Sequence, residues 1–290
     1  MESFIKLTTK FRNTFGENIF RYKYAQGPGD TWEKLADRLV DDVCGSRGGT
    51  LSVLMSAEDR RDLSQAIKEF RFIPGGRYLY YAGRPYKAYN NCYLLRAEED
   101  TREEWSNVTW RAMSCLMTGG GIGIDYSRLR PSGKALSRTG GTASGPIPLM
   151  YAINEIGRNV MQGGSRRSAI YASLNWQHED IAQFLGAKNW SAVVREQKLI
   201  DFNFPGPLDM TNISVNYDDT IAHAAGCPGD IPLGLQTSNV FRANVRQAME
   251  TGEPGFSFNF GNKQNETLRN ACTEVTSEDD SDVLTLSTIH

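Results

Sequence analysis

The run Asn270-Ala271-Cys272-Thr273-Glu274 sets a thiol between an amide and a carboxylate. In an extended or tightly looped backbone, side chains at alternate positions point the same way, so Asn270, Cys272 and Glu274 are expected to address one pocket. The amide can donate and accept hydrogen bonds, and the carboxylate can accept from hydroxyls or act as a base. A ribose ring, with two adjacent hydroxyls, is a natural guest for that trio. Taken alone, the run also reads as a buried structural cysteine beside a turn, because free cysteine commonly behaves as a small core hydrophobe. A second thiol, Cys92, lies far upstream in Asn90-Asn91-Cys92-Tyr93.

Glycine-rich segments lie between the two thiols. Gly119-Gly120-Gly121-Ile122-Gly123 follows a helical pattern and enters a strand, the reverse of the order in a dinucleotide fingerprint, and no Gly-Lys-Ser/Thr follows it. Arg128, Arg130 and Arg138 come next, then Gln162-Gly163-Gly164-Ser165-Arg166-Arg167-Ser168. Glycines let a backbone approach a ligand, and guanidinium forks suit phosphate oxygens, which points to a nucleotide. Surface loops with solvated arginines are the plainer reading.

Helices and strands must position these groups. Trp32, Leu35, Ala36, Leu39, Val40 and Val43 recur at helical spacing, with Asp30 and Glu33 as an expected capping box, and Gly45 ends that helix. A second helix is expected from Ser56, with Leu63, Ile67 and Phe70 facing inward, stopping before Pro74. From about residue 88 strands alternate with helices. Strands are expected over 88–96, 122–126, 168–174, 211–217 and around Phe256, Phe258 and Phe260. Helices are expected from Thr101 to Gly119 and over 148–161, 179–185 and 239–250. That alternation means an α/β architecture. The reading is a helical N-terminal region over 1–85 and an α/β unit over 86–290.

Composition narrows the function. The 290 residues carry 32 Lys+Arg against 34 Asp+Glu, a net charge of -2, without the basic excess of a nucleic-acid binder. No apolar run reaches membrane-spanning length, and Met1-Glu2-Ser3-Phe4-Ile5-Lys6 lacks the apolar core of a signal peptide. Five cysteines, none in C-x-x-C spacing, and three histidines argue for a reducing, cytoplasmic setting and against a zinc site or a disulfide scaffold.

Several segments occur together in one order: Arg71-Phe72-Ile73-Pro74-Gly75-Gly76-Arg77, Asn91-Cys92-Tyr93-Leu94-Leu95, Gly119 to Pro131, Ser144-Gly145-Pro146-Ile147, Gln162 to Ala169, Glu253-Pro254-Gly255 and Asn270 to Glu274. That series resembles the catalytic chain of ribonucleotide reductase, most closely the adenosylcobalamin-dependent class, from about residue 70 to about 283. The resemblance implies the first half of a ten-stranded α/β barrel, with a finger loop carrying a radical cysteine.

Carried onto this sequence, the resemblance makes Cys272 the thiyl radical, Glu274 the base for the 3'-hydroxyl and Asn270 a holder of the hydroxyls. Cys92 is one member of the reducing dithiol, restored through disulfide exchange with an external, thioredoxin-like dithiol reductant. Asn91, Ser144, Gly120, Gly121 and Arg166 are expected to line the substrate site. Arg130 with Glu99 or Asp100 is expected to contact a deoxynucleotide or ATP effector, and residues 162–168 to relay effector identity. Adenosylcobalamin is the implied radical source, without assigned contacts on this chain; no metal site is expected.

Three departures stand out. Leu284 occupies the neighbourhood of the second dithiol cysteine, Ala271 replaces a usual proline, and the second half-barrel is absent from the sequence. The chain is therefore expected to need a C-terminal half or continuation, and by itself to be poorly soluble or a homodimer, and inactive. A non-catalytic nucleotide-binding remnant of a split or interrupted reductase, a fragment of a metal-radical large subunit and a glycyl-radical enzyme are the competing readings.

Overall fold

The computed structural model describes residue 11 and residues 13–45, 54–160, 168–224, 226, 228–279, 283–284 and 288–289. Two compact units divide the chain, Met1–Asn90 with Thr285–His290, and Asn91–Leu284. The division at Asn90/Asn91, against the 85/86 boundary read from the sequence, falls within a stretch that carries no helix or strand.

The first unit is built from α1 (Thr14–Ile19), continued by a π-turn over Phe20–Tyr24, α2 (Trp32–Val43), α3 (Ala57–Lys68), β1 (Phe72–Ile73) and α4 (Gly76–Tyr81). β1 pairs antiparallel with Thr288–Ile289. The helical periodicity of α2 buries Trp32, Leu35, Ala36, Leu39 and Val40 against Ile67 of α3, and the Trp32 indole donates to the Ile67 carbonyl at 2.9 Å. The expected Asp30 cap is corrected. Thr31 holds the extended N-cap conformation and accepts from the Lys34 amide, while the Asp30 carboxylate takes Arg38 at 2.9 Å and the Gln26 amide at 2.8 Å. On α3 the Ser56–Asp59 capping box forms in both directions.

Phe70 is not on the helix. It lies past the C-cap at φ 59, with its amide bonded to the Ile67 carbonyl and the Arg71 amide to that of Ala66. That is a Schellman-type ending, which normally takes glycine. The phenyl ring offsets the conformational cost by stacking on Trp32, with centroids 4.8 Å apart and planes 8° from parallel.

The second unit carries β2 (Cys92–Arg96), α5 (Arg102–Met117), β3 (Gly121–Asp125), α6 (Ile147–Asn159), β4 (Ile170–Asn175), α7 (Ile181–Leu185) and α8 (Ala192–Ile200). It continues with β5 (Thr211–Asp218), α9 (Thr220–Ala224), α10 (Ile231–Thr237), α11 (Asn239–Thr251), β6 (Gly255–Asn259), β7 (Leu268–Arg269), β8 (Thr276–Ser277) and β9 (Val283–Leu284). Five strands run parallel in the order β6-β5-β4-β3-β2, as the alternating pattern implied, and β9 adds antiparallel to β2.

The two faces of this sheet differ sharply. On the helix side, Ile122, Ile124, Ile170, Ala172, Leu174, Ile213, Val215 and Tyr217 pack against Val108, Ala112 and Leu116 of α5 and Ile147, Met150 and Ile153 of α6. The opposite face presents Gly121, Gly123 and Asp125 from β3, Tyr171 and Ser173 from β4, Ser214 and Asn216 from β5, and Ser257 and Asn259 from β6. Most of these are buried, and the alternation follows the period of a strand. The phenylalanines of β6 lie on the helix side, Phe256 and Phe258 around Tyr217, and Phe260 follows the strand end.

Capping helps to set the helices that carry the sheet. Thr101 caps α5 by accepting from the Glu104 amide at 3.1 Å, but Glu104 does not return the bond to Thr101. Its carboxylate instead takes the Glu98 amide, Asn107 and Arg111, fastening the helix start to the end of β2. Among the described residues, no helix is long and apolar enough to cross a membrane.

Candidate active site

β7 and β8 form a short antiparallel hairpin, Leu268 across from Ser277 and Arg269 across from Thr276. Its tip is a turn closed by the Thr273 amide donating to the Asn270 carbonyl at 3.0 Å. The Asn270 side-chain oxygen also accepts the Val275 amide at 3.2 Å. Asn270 and Ala271 are buried, whereas Cys272, Thr273 and Glu274 are exposed. The turn therefore separates the trio by depth. The amide sits below, closing the loop, while thiol and carboxylate stand at the surface of the tip. The Asn270 Nδ2 donor has no hydrogen-bond partner among the described residues.

Glycines of β3 admit this hairpin. A Cβ on Gly123 would overlap the Arg269 carbonyl oxygen, and one on Gly121 would stand 2.8 Å from the Ala271 methyl. Gly121 is also the register partner of Cys92 on β2. The buried Cys92 and the loop residue preceding Cys272 thus meet at one glycine. Asn91 accepts the Gly121 amide through its carbonyl at 2.8 Å, and a Cβ on Gly120 would strike the Tyr93 ring. On its other side Cys92 lies opposite Leu284 of β9.

Below the hairpin, the buried Asp125 accepts from Thr267 Oγ1 at 2.6 Å and from the Ser127 amide at 3.1 Å. Arg269 donates to Ser257 through Nε, and through Nη2 to Asn259 Oδ1 at 3.0 Å and the Phe258 carbonyl at 3.4 Å. Burial pushes the guanidinium down from the usual arginine range, only partly opposed by Tyr171 and Glu266. Sequence reasoning missed Asp125, Thr267 and Arg269. Their signal was the polar alternation of Ser214 and Asn216 within an otherwise aliphatic strand, since a parallel strand covered on both faces by apolar packing reads as continuously hydrophobic.

The second expected cluster is assembled in part. Arg130 binds Asp100 through Nε, and its backbone amide donates to the same carboxylate at 3.1 Å. Its Nη2 donates to the Asp100 carbonyl at 3.0 Å. Glu99 is exposed and makes no side-chain hydrogen bond among the described residues. Ser144 is exposed in the turn before α6, next to Gly145, whose φ is 75. The loop after Pro131 is tied to the β4–α7 turn by the Ser132 amide, which donates to Asp180 at 2.9 Å, and by His178, whose Nε2 bonds the Leu129 carbonyl at 2.8 Å. Arg166 and the relay loop around it lie outside the described residues, apart from Ser168.

Burial pushes the Cys115 thiol on α5 up to about 11, against a smaller pull from Arg111, so it stays protonated at neutral pH and is a poor nucleophile. No group of metal-ligating side chains is found among the described residues.

Known proteins share this architecture. Residues 90–233 match the family described as ribonucleotide reductase, barrel domain. Over 202 residues the chain is 28% identical to a vitamin B12-dependent ribonucleoside-diphosphate reductase of Mycobacterium tuberculosis, covering 66% of this chain and 27% of that protein. The Thermoplasma acidophilum protein of the same description is 27% identical over 196 residues, covering 67% of this chain and 25% of its own length. A ribonucleoside-diphosphate reductase large subunit of vaccinia virus is 31% identical over 134 residues, 44% of this chain and 17% of that protein. Among solved structures, the Actinobacillus ureae class Id ribonucleotide reductase alpha subunit superposes with a TM-score of 0.68 at 15% identity, covering 96% of this chain and 49% of that one. The chain thus spans about a quarter of the length of its vitamin B12-dependent relatives. With the five parallel strands and the hairpin laid across them, these matches identify residues 90–233 as a ribonucleotide reductase barrel domain.

Proposed function

We propose that the chain takes part in reducing ribonucleotides to 2'-deoxyribonucleotides by a thiyl-radical mechanism. The observation that carries this is the meeting of the Cys92 strand and the Cys272 turn at Gly121. Cys272, as a thiyl, takes the 3'-hydrogen of the ribose and later returns it, so it is unchanged over the cycle. Glu274 takes the proton of the 3'-hydroxyl, and the spare Asn270 Nδ2 donates to a ribose hydroxyl. The 2'-hydroxyl leaves as water, and its departure consumes two electrons from thiols, one of them Cys92. An external thioredoxin-like dithiol restores them by exchange. Asn91, Gly120, Gly121, Ser144 and Arg166 line the substrate site.

Adenosylcobalamin, suggested by the descriptions of the vitamin B12-dependent relatives, supplies a carbon-centred radical when bound. Cys272, at the tip of its turn, is the thiol on which that radical would act. The Asp100–Arg130 pair is the place for a deoxynucleotide or ATP effector, with Glu99 beside it. A C-terminal half or continuation is inferred as partner, because the chain spans about a quarter of its vitamin B12-dependent relatives, with the cytoplasm as the setting.

A second reading, nucleotide binding without reduction, is favoured by one observation: the position across from Cys92 is leucine. Reconstitution with a C-terminal half, adenosylcobalamin, a dithiol and ribonucleotide separates the two. Deoxynucleotide formation that disappears in Cys272→Ser supports reduction. Nucleotide binding with no turnover supports the second reading.

A further inference from the structure

We propose that Arg269 is a positioning residue for Cys272, a strut that pins the thiol-bearing turn across the polar face of the sheet; as a role in catalysis this rests on the reading of Cys272 given above. Its backbone and its side chain are held at different strands. The Arg269 carbonyl is pressed against Gly123 of β3, where no side chain fits between them. The guanidinium reaches β6, donating to Ser257, to Asn259 Oδ1 at 3.0 Å and to the Phe258 carbonyl at 3.4 Å. β4 and β5 lie between those two strands in the sheet.

One residue later begins the turn that carries Cys272, closed by the Asn270 carbonyl and side-chain oxygen. Any swing of the hairpin along or away from the sheet must therefore break bonds at β6 or open the contact at β3. Thr267 to Asp125 provides a further anchor, two residues before Arg269.

The contacts mark a geometric role rather than an ion pair. All three acceptors are uncharged, and among the described residues Arg269 makes no salt bridge. A planar fork of donors holds orientation as well as distance, which an ammonium on a flexible stem does not. Half-burying a cation here is unfavourable and pushes the guanidinium's basicity down. Fixing a reactive group is a use that justifies that cost, because catalysis is sensitive to displacements on the order of 1 Å.

Hydrogen exchange on the purified chain tests the strut directly. In Arg269→Gln, exchange of the Thr273 and Val275 amides is expected to rise about tenfold, while exchange in β3, β4 and β5 stays unchanged; Arg269→Lys should fall between this variant and the natural chain. Should Arg269→Gln not fold, Ser257→Ala combined with Asn259→Ala removes the same side-chain acceptors and is read the same way. Unchanged exchange at Thr273 and Val275 in a folded variant overturns the proposal, as does uniform acceleration across the sheet, which indicates a bulk stabilising role. The reductase reading fails separately, through turnover that survives Cys272→Ser in the reconstituted enzyme.

Discussion

Cys92 and Leu284 are directly opposed across an antiparallel pair of strands, at the end of the sheet where β2 meets the glycines of β3. Opposed residues on antiparallel strands sit about 4.5–5.5 Å apart at Cα, within the span a disulfide can bridge. The backbone register therefore allows a disulfide between these two positions.

Leu284→Cys is expected to complete that pair. Mild oxidation of the variant should remove two titratable thiols, and peptide mapping should find Cys92 disulfide-bonded to the introduced thiol, while the natural chain keeps its Cys92 thiol. If both thiols of the folded variant stay reactive, the Cys92–Leu284 register is wrong.

Gly123 carries the close approach between β3 and the hairpin. Gly123→Ala forces a methyl into the Arg269 carbonyl, and overpacking of this kind costs about 1–3 kcal/mol. Urea unfolding should show a lower midpoint with an unchanged slope. A midpoint equal to that of the natural chain would show that the hairpin is not seated on Gly123.

Thr273 holds φ 69, a conformation that costs a β-branched residue about 1–2 kcal/mol. Thr273→Gly relieves that cost and loses about 0.5–1 kcal/mol to greater freedom in the unfolded chain. The expected net gain is about 0.5–1 kcal/mol in thermal or chemical unfolding; a loss in stability would mean that the threonine makes a compensating contact in the turn.

Asp209 predicts an acid-dependent loss of stability. Burial raises its pKa, but hydrogen bonds from Arg158 and from Lys198 at 2.8 Å outweigh burial and hold the carboxyl at about 2. Its folded pKa lies below the ordinary unfolded value. The stabilisation is therefore complete above about pH 4 and fades as pH falls toward about 2. A shift of that size corresponds to roughly 2 kcal/mol. Asp209→Asn should be less stable at neutral pH and should lose the part of the pH dependence between about pH 4 and about pH 2; a variant with the full acid slope would assign that slope to other carboxyls.

Much of this was legible in the sequence where a local rule and the tertiary structure agree. Val108, Ala112 and Leu116 recur at helical spacing, and all three are buried in α5. Strands were expected over 122–126, 168–174 and 211–217, and β3, β4 and β5 occupy those stretches. Phe70 was misplaced because a stacking partner, Trp32, distant in sequence, outweighs the local preference for glycine at a left-handed helix end. Asp30 was misread as a cap because its pull toward Arg38 depends on a packed helix rather than on spacing to Glu33. Cys272 was singled out from its neighbours, yet the burial of Asn270 beneath it was not foreseen, because strand alternation does not hold inside a tight turn. Arg269 carried no periodic signal, since its partners on β6 belong to a different stretch of chain.

The sheet keeps its apolar packing on one face and its polar groups on the other, and this gives the two faces different tolerances to change. Substitutions among Ile122, Ile170, Val215 and their neighbours act on a close-packed layer and register mainly as unfolding. Substitutions among Ser214, Ser257 or Asn259 remove hydrogen bonds worth about 1 kcal/mol each, a loss a folded unit of this size can bear. Sequence drift on the polar face can therefore change how firmly the hairpin is held while the scaffold survives.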